Sequence, residues 1–526
     1  MPEGLFSLSK MRLGKHRGWS HRRTGMARYL PGCILQAIVA LTRPTHKTFG
    51  SIDISILPPE LLHIIFELLA LPDHNTLLTC MQVCRRWHDI AHRHFFAVVP
   101  VGYFDIDRFF QLLRTDPGLR ARHVKEIHFI DEWCQGTHSF RYSQDNSGLA
   151  VFHHPLDVLL FASTLPALGL VNLQYLSLVG FDNLNHRPPS PTSVRQSQAQ
   201  GQKNNPSPTV SLRQLTCDGC LGLTLILPSL LSLFSVDTLV IRVHPREPAT
   251  SPWDMSTVHS SRISPASITI QNLVFAGNGT GYTEHNYYQF FERILAPGSL
   301  RMLGAWAGNL YSYDAQLPRF IRCDAAKNLL SISIDVSGLT GMETSYLTEC
   351  FKTLGNALAH CTRLECFRIR CIHAPYNEYY WNHCGRPTTF APILGNLPRT
   401  LRVFAIYVEV RNWWFGKDFR GSSAGLAYVD RVLTPPRPGA GGGETRFPHL
   451  ERVELNVCEE SFKGRSRRTR KPKPIKEPLK STPLPRLEAA GLLRLRIVHE
   501  DAVPRAVADF YVPPEMERVR PRGPAG

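Results

Sequence analysis

The residues best suited to chemistry in this chain come in short, separated groups. His88-Asp89-Ile90-Ala91-His92 sets two imidazoles at helical i, i+4 spacing, with which one helix face can hold zinc. A zinc protease of that kind needs Glu where Asp89 stands and a further ligand, so the pair is expected to sit on a helix with another task. Cys217-x-x-Cys220 lacks a second matching pair, and its first Cys falls at an inward strand position, which predicts buried structural thiols. Gly277, Gly279 and Gly281 lack the Lys-Ser/Thr that a phosphate loop requires and read as a turn. Asn278-Gly279-Thr280 is nominally a glycosylation acceptor, but that modification needs a secreted chain. No catalytic residue, metal ligand or cofactor is assigned from these groups. Acids and histidines are plentiful, and one sequence does not show which of them converge, so an α/β enzyme with an unrecognised site stays open.

Composition narrows the classes. The 526 residues are enough for several ordinary domains, or for a small module and an extended one. The longest apolar run near the start, Cys33 to Leu41, is half of the roughly 18 residues of a membrane span, so no membrane protein is expected. Thirteen cysteines, an odd number scattered without a secretory signal, read as reduced thiols of a cytoplasmic or nuclear protein. The formal net charge is +17. Residues 1–50 and residues 461–480 each hold nine Lys or Arg against one acid, so the body between them is close to neutral. Specific nucleic-acid binding by that body is not expected, although a basic tail can touch nucleic acid non-specifically. Residues 1–50 read as a disordered basic leader, with a mitochondrial presequence and a mispredicted gene start as alternatives.

The segment from Leu57 to Phe96 has helical grammar. Pro58 and Pro59 suit a first turn, and Glu60 complements the positive end of the helix dipole. Leu61, Leu62, Ile64, Ile65, Phe66, Leu68 and Leu69 follow, a run wider than the single apolar stripe of a surface helix. Pro72 and Asp73 break it, Asn75 or Thr76 can cap a second helix through Cys84, and Trp87 to Phe96 supply a third that Pro100 stops. Three short helices in about forty residues cannot enclose so many large apolar groups. At about 1.5–3 kcal/mol for each one left in water, a partner surface is expected.

This segment resembles the F-box. The resemblance rests on Leu57-Pro58, Glu60-Leu61-Leu62, Ile65-Phe66 and Val83-Cys84-Arg85-Arg86-Trp87, and the whole chain looks like an F-box protein of the fungal type. It implies docking to a Skp-type adaptor, and through it to a cullin, by Leu57, Pro58, Glu60, Leu61, Ile65, Phe66, Leu77, Val83, Cys84 and Trp87. The connector from Leu71 to Thr76 is a few residues longer than the usual pattern, which bears on Leu77.

Beyond Pro100 a helical connector, Asp105 to Leu113, leads to Val124-x-x-Ile127-x-Phe129, and this apolar spacing then recurs ten times. The later units begin at Leu173, Leu212, Val236, Ile270, Leu300, Leu329, Leu364, Leu401, Leu450 and Leu492; the weakest, at Leu300, ends on Ala305. The spacing is the strand signature of a leucine-rich repeat, in a degenerate form, and Cys220 and Asn278 keep the Asn/Cys position of two units. Helical stretches lie between units: Leu156 to Leu168, Leu225 to Phe234, Tyr287 to Leu295, Tyr346 to Cys361 and Gly425 to Leu433. Alternating strand and helix predict an α/β class with parallel strands. The expected order is a three-helix F-box module over 51–100, then an irregular leucine-rich-repeat-like α/β solenoid over 101–512. Disordered insertions are expected at 186–209 and 461–484, and a disordered tail at 513–526. Arg465, Arg467, Arg468, Arg470, Lys471 and Lys473 form a nuclear import signal or a solvated basic loop. The strand-face positions show no obvious Arg cluster in the sequence.

The resemblance implies a non-catalytic substrate receptor of an SCF-type cullin-RING ubiquitin ligase, cytoplasmic, nuclear or both, holding an unknown target protein. A scaffold that binds the adaptor without delivering a target, or whose helices merely cap the solenoid, is the alternative.

Overall fold

The computed structural model of the chain describes residues 57–70, 74–116, 123–131, 168, 170–181, 210–220, 222–242, 267–276, 284–306, 316–336, 344–373, 387–411, 423–435, 445–460 and 484–498. Several expectations fall outside these residues: the leader over 1–50, most of the helix at Leu156, the insertion at 186–209, the turn at Gly277, the import signal at Arg465 to Lys473, and the tail over 513–526. The described residues fall into two compact units divided between Cys220 and Leu221.

The first unit begins with three helices: α1 Pro59–Ala70, α2 His74–Met81 and α3 Arg85–Phe95. Pro59 opens α1 where a missing N–H costs nothing, and the carbonyl of Pro58 accepts from Leu61 and Leu62 N–H at 3.1 and 3.2 Å. α3 starts after Cys84, whose extended backbone (φ −159°, ψ 168°) leaves its carbonyl to accept from His88 N–H at 2.8 Å. Leu62, Phe66, Leu77, Cys80, Met81, Ile90, Ala91 and Phe95 form the small core between the helices. The second helix stops at Met81 rather than reaching Cys84, and the third stops at Phe95 well before Pro100.

Val98–Gly102 is instead a strand, β1, which the sequence reading took for the end of a helix. β1 pairs in parallel with β2 Glu126–Ile130, β2 with β3 Tyr175–Val179, and β3 with β4 Val210–Asp218. Pro100 is tolerated because β1 has a single strand neighbour among the described residues, and a residue without N–H is harmless on an edge. α4 Ile106–Thr115 crosses from β1 to β2 and lays Phe109 and Phe110 against Phe129, with ring centroids 6.3 and 5.9 Å away.

The second unit opens with α5 Leu223–Leu233 running directly into β5 Phe234–Arg242. Then follow β6 Asn272–Ala276, α6 Glu284–Ile294, β7 Met302–Trp306, α7 Gln316–Ile321, β8 Ser331–Asp335, α8 Thr344–Leu358 and β9 Cys366–His373. α9 Pro387–Asn396, β10 Val403–Arg411, α10 Ser423–Leu433, β11 Arg452–Glu460, α11 Pro485–Ala489 and β12 Leu493–Val498 complete it. From β5 to β12 each strand pairs in parallel with the next in sequence.

The recurring apolar spacing lands on strands β2 to β12, and its members stack across the ladder. Leu239, Leu273, Leu303, Ile332, Phe367, Phe404 and Val453 are successive register partners and all have 0% exposure. Even the weak unit holds, with Ala305 buried opposite Ile334. Only β12 slips: Leu495 lies opposite Leu455 rather than Val453, and is 40% exposed. The helices cover the stacked side, as the rings of Tyr287, Tyr288 and Phe291 on α6 show where they meet Phe275. Period-two alternation turns the intervening residues to the opposite face. There Ser331, Ser333 and Asp335 on β8 meet Cys366, Arg368 and Arg370 on β9, while Arg452, Glu454 and Asn456 on β11 meet Arg494 and Arg496 on β12. Arginines stand on this face, Arg242 on β5, Arg368 and Arg370 on β9, Arg452 on β11 and Arg494 and Arg496 on β12, but none is the register partner of another, and Val403, Ala405 and Tyr407 of β10 lie between those of β9 and β11.

Candidate functional site

The ten docking candidates divide by depth. Pro58, Glu60 and Cys84 are exposed, Leu61 is 46% exposed and Val83 58%. Leu57, Ile65 and Trp87 are part-buried. Phe66 and Leu77, at 0%, lie inside the helical core; they shape the surface from beneath and do not form it. The edge of the Trp87 ring meets Phe66 at a centroid distance of 5.2 Å, so the indole carries the core outward to the surface. Arg86 Nη2 donates to the Leu57 carbonyl at 2.8 Å and ties the entry of α1 to the first turn of α3. That bond brings the Leu57-Pro58 corner to the Val83-Cys84 corner, although they are distant in sequence.

One surface residue of the apolar run is absent from the ten candidates. Ile64 is 53% exposed, and it follows Leu61 by three positions, so the two are neighbours on the outer side of α1. The i, i+3 spacing was the available signal. Leu61, Ile64 and Val83 are three of the seven exposed large apolar residues among those described.

The histidines of α3 are structural. His88 and His92 stack at 5.7 Å between centroids, and His92 meets His123 edge-on at 5.8 Å. Burial, then the nearby His123 and His88, holds the His92 pKa below its ordinary value. His63 Nδ1 and His94 Nε2 share a hydrogen bond of 3.0 Å that joins α1 to α3. Among the described residues no group of three or more His, Cys, Asp or Glu is arranged to hold a metal. Cys217 and Cys220 are buried at the end of β4, and the Cys220 thiol reaches the Leu178 carbonyl at 3.5 Å. Burial pushes the Cys217 thiol well above its usual range, with Cys220 and Asp218 adding to the effect, so the thiolate that a metal or an electrophile needs is disfavoured. The sequence reading finds no Gly-x-Ser-x-Gly elbow, and this is corrected: Gly421-Ser422-Ser423-Ala424-Gly425 has that spacing. Ser423 opens α10, but β10 ends at Arg411, too far back for a sharp strand-to-helix turn.

The geometry is thus a three-helix module with a half-exposed apolar outer surface and a filled interior. Residues 54–96 match the F-box-like family model. The match covers less than a tenth of the chain and takes in the three helices through Phe95 and Phe96. An F-box-like segment suggests SCF-type adaptor binding. No curated protein matches the chain. Among the described residues no helix is long and apolar enough to cross a membrane.

Proposed function

We propose that this chain is the substrate-recognition subunit of an SCF-type cullin-RING ubiquitin ligase. Its F-box-like helices dock to a Skp-type adaptor, and its strand-and-helix region is a degenerate leucine-rich-repeat solenoid that presents a target protein. The observation that carries the reading is the apolar surface of Leu61, Ile64 and Val83 on a segment that matches the F-box-like family. About half of each side chain is left in water, at a cost of about 1 kcal/mol apiece, and a partner helix removes that cost. The in-register ladder of apolar positions supports the repeat reading, because each unit buries its strand only by stacking on the next. The chain's contribution to ubiquitin transfer is proximity, with no reacting residue of its own. Free cysteines throughout the described residues accord with a reducing compartment, cytoplasmic or nuclear.

The test is capture of a purified Skp-type adaptor by the full chain and by a variant carrying Leu61→Asp, Ile64→Asp and Val83→Asp. These positions are exposed, so the variant is expected to keep its circular dichroism and lose capture. Failure of the folded parent to capture the adaptor overturns the reading. Capture without any ubiquitinated target in a reconstituted ligase replaces it with an adaptor-binding scaffold.

A further inference from the structure

The end of the second unit has a surface whose chemistry differs from the rest of its sheet. β12 has β11 as its strand neighbour among the described residues. On the face turned away from the helices, Arg494 and Arg496 are both exposed and stand two residues apart, about 7 Å along a strand. Their register partners are Glu454 and Asn456. Glu454 is engaged by Arg452 at 2.7 Å, and Asn456 carries no charge, so neither neutralises its arginine neighbour. Asn456 is 4% exposed, so the accessible polar groups here are the two guanidiniums. Between the arginines Leu495 turns to the other face and is 40% exposed, whereas the matching apolar residues of β8 to β11 are closed. β12 thus offers cations on one face and an open apolar residue on the other.

We infer that β11 and β12 bind an extended acidic segment of a partner protein, with carboxylates on Arg494 and Arg496 and an apolar residue against Leu495. Guanidinium groups bind carboxylates as a two-donor fork, and a strand's two-residue period matches the spacing of the arginines. The partner is taken to be the target of the receptor proposed above, and in that respect the inference rests on that reading; the binding chemistry stands apart from it.

A fluorescein-labelled peptide of alternating Glu and Val is titrated into the full chain, with a peptide of alternating Lys and Val beside it. The Glu peptide is expected to bind saturably and the Lys peptide not to bind. Arg494→Glu with Arg496→Glu is expected to weaken the Glu peptide about tenfold or more, and Arg494→Gln with Arg496→Gln to weaken it less, both with unchanged circular dichroism and adaptor capture. Equal binding of the two peptides by the parent, or undiminished binding of the Glu peptide by both folded variants, overturns the inference. So does a single-stranded RNA homopolymer whose binding the same variants abolish, since that assigns the arginines to nucleic acid. A parent that binds the Glu peptide yet captures no adaptor keeps this inference and removes the receptor reading.

Discussion

Phe66 and Leu61 stand five positions apart on one helix and answer to different physics. Phe66 is sealed at 0% exposure against Trp87, so Phe66→Ala opens a cavity and is expected to cost about 3–5 kcal/mol. Leu61 is half in water, and Leu61→Ala should move stability by no more than about 0.5 kcal/mol while weakening adaptor capture. Urea melts read beside capture separate the two, and equal losses of stability would mean that the α1 surface is not a surface. The histidines give a second residue-scale expectation. Burial, then His63, holds the His94 pKa below its ordinary value of 6.5, against an upward pull from Glu67. Burial, then His123 and His88, does the same for His92, against Asp116 and Asp89. Below pH 6.5 the unfolded chain takes up protons that the folded rings refuse. Stability is therefore full above that pH, falls as the pH drops through 6.5, and levels off once the lower folded values are passed. Denaturation midpoints at about pH 7.5 and 5.5 should differ in that sense, and His92→Gln with His94→Gln should narrow the gap.

At the scale of elements the helices of the second unit meet at very short range. Gly355 on α8 faces the carbonyl of Pro392 on α9, and a Cβ placed there would overlap that carbonyl. Because the obstruction is backbone, it cannot rotate away, so Gly355→Ala is expected to destabilise by about 1–3 kcal/mol, seen as a lower thermal midpoint. Asp430 on α10 is a second joint: its buried carboxylate accepts from Arg486 and Leu487 N–H at 2.9–3.1 Å and caps α11 from outside the helix. These joints also mark the limit of what the sequence makes legible. Strands β2 to β12 could be read because burial of one face repeats as a three-plus-two apolar spacing. β1 could not, because Pro100 looks like a helix stop until an edge position is known to tolerate it. α9 was missed because Pro392 lies inside it, and α7 because its six residues hold too few turns to show a period. The F-box-like segment was legible through Leu57-Pro58 and the Val83 to Trp87 run, and the candidate docking residues were named from that pattern. Their depth was not, since α1 is apolar on two sides and only the packing of α3 decides which side closes. The strand-face arginines needed register: that Arg368, Arg370, Arg452, Arg494 and Arg496 share one face shows only when the strands are laid side by side.

Along the whole chain, the excess of positive charge lies in segments other than those that carry the proposed protein-recognition residues. Nearly all of the +17 lies in residues 1–50 and 461–480, while the strands and helices between them are close to neutral. Such an arrangement predicts nucleic-acid contact that is electrostatic and indifferent to sequence, carried by the basic run and not by the sheet. Replacing Arg465, Arg467, Arg468, Arg470, Lys471 and Lys473 with Gln should therefore remove a large part of any binding to single-stranded RNA, the nine Lys and Arg of residues 1–50 keeping the rest. With about four to six phosphates neutralised by that run, the variant's slope in log K against log salt should be shallower than the parent's by about 3 to 4. Adaptor capture and Glu-peptide binding should survive the same replacements, because neither Leu61, Ile64 and Val83 nor Arg494 and Arg496 belong to that run. Filter binding across a salt series makes the comparison. A variant that loses RNA binding and adaptor capture together would show that the charged segment and the folded units act as one surface, and the separation of roles argued here would fail.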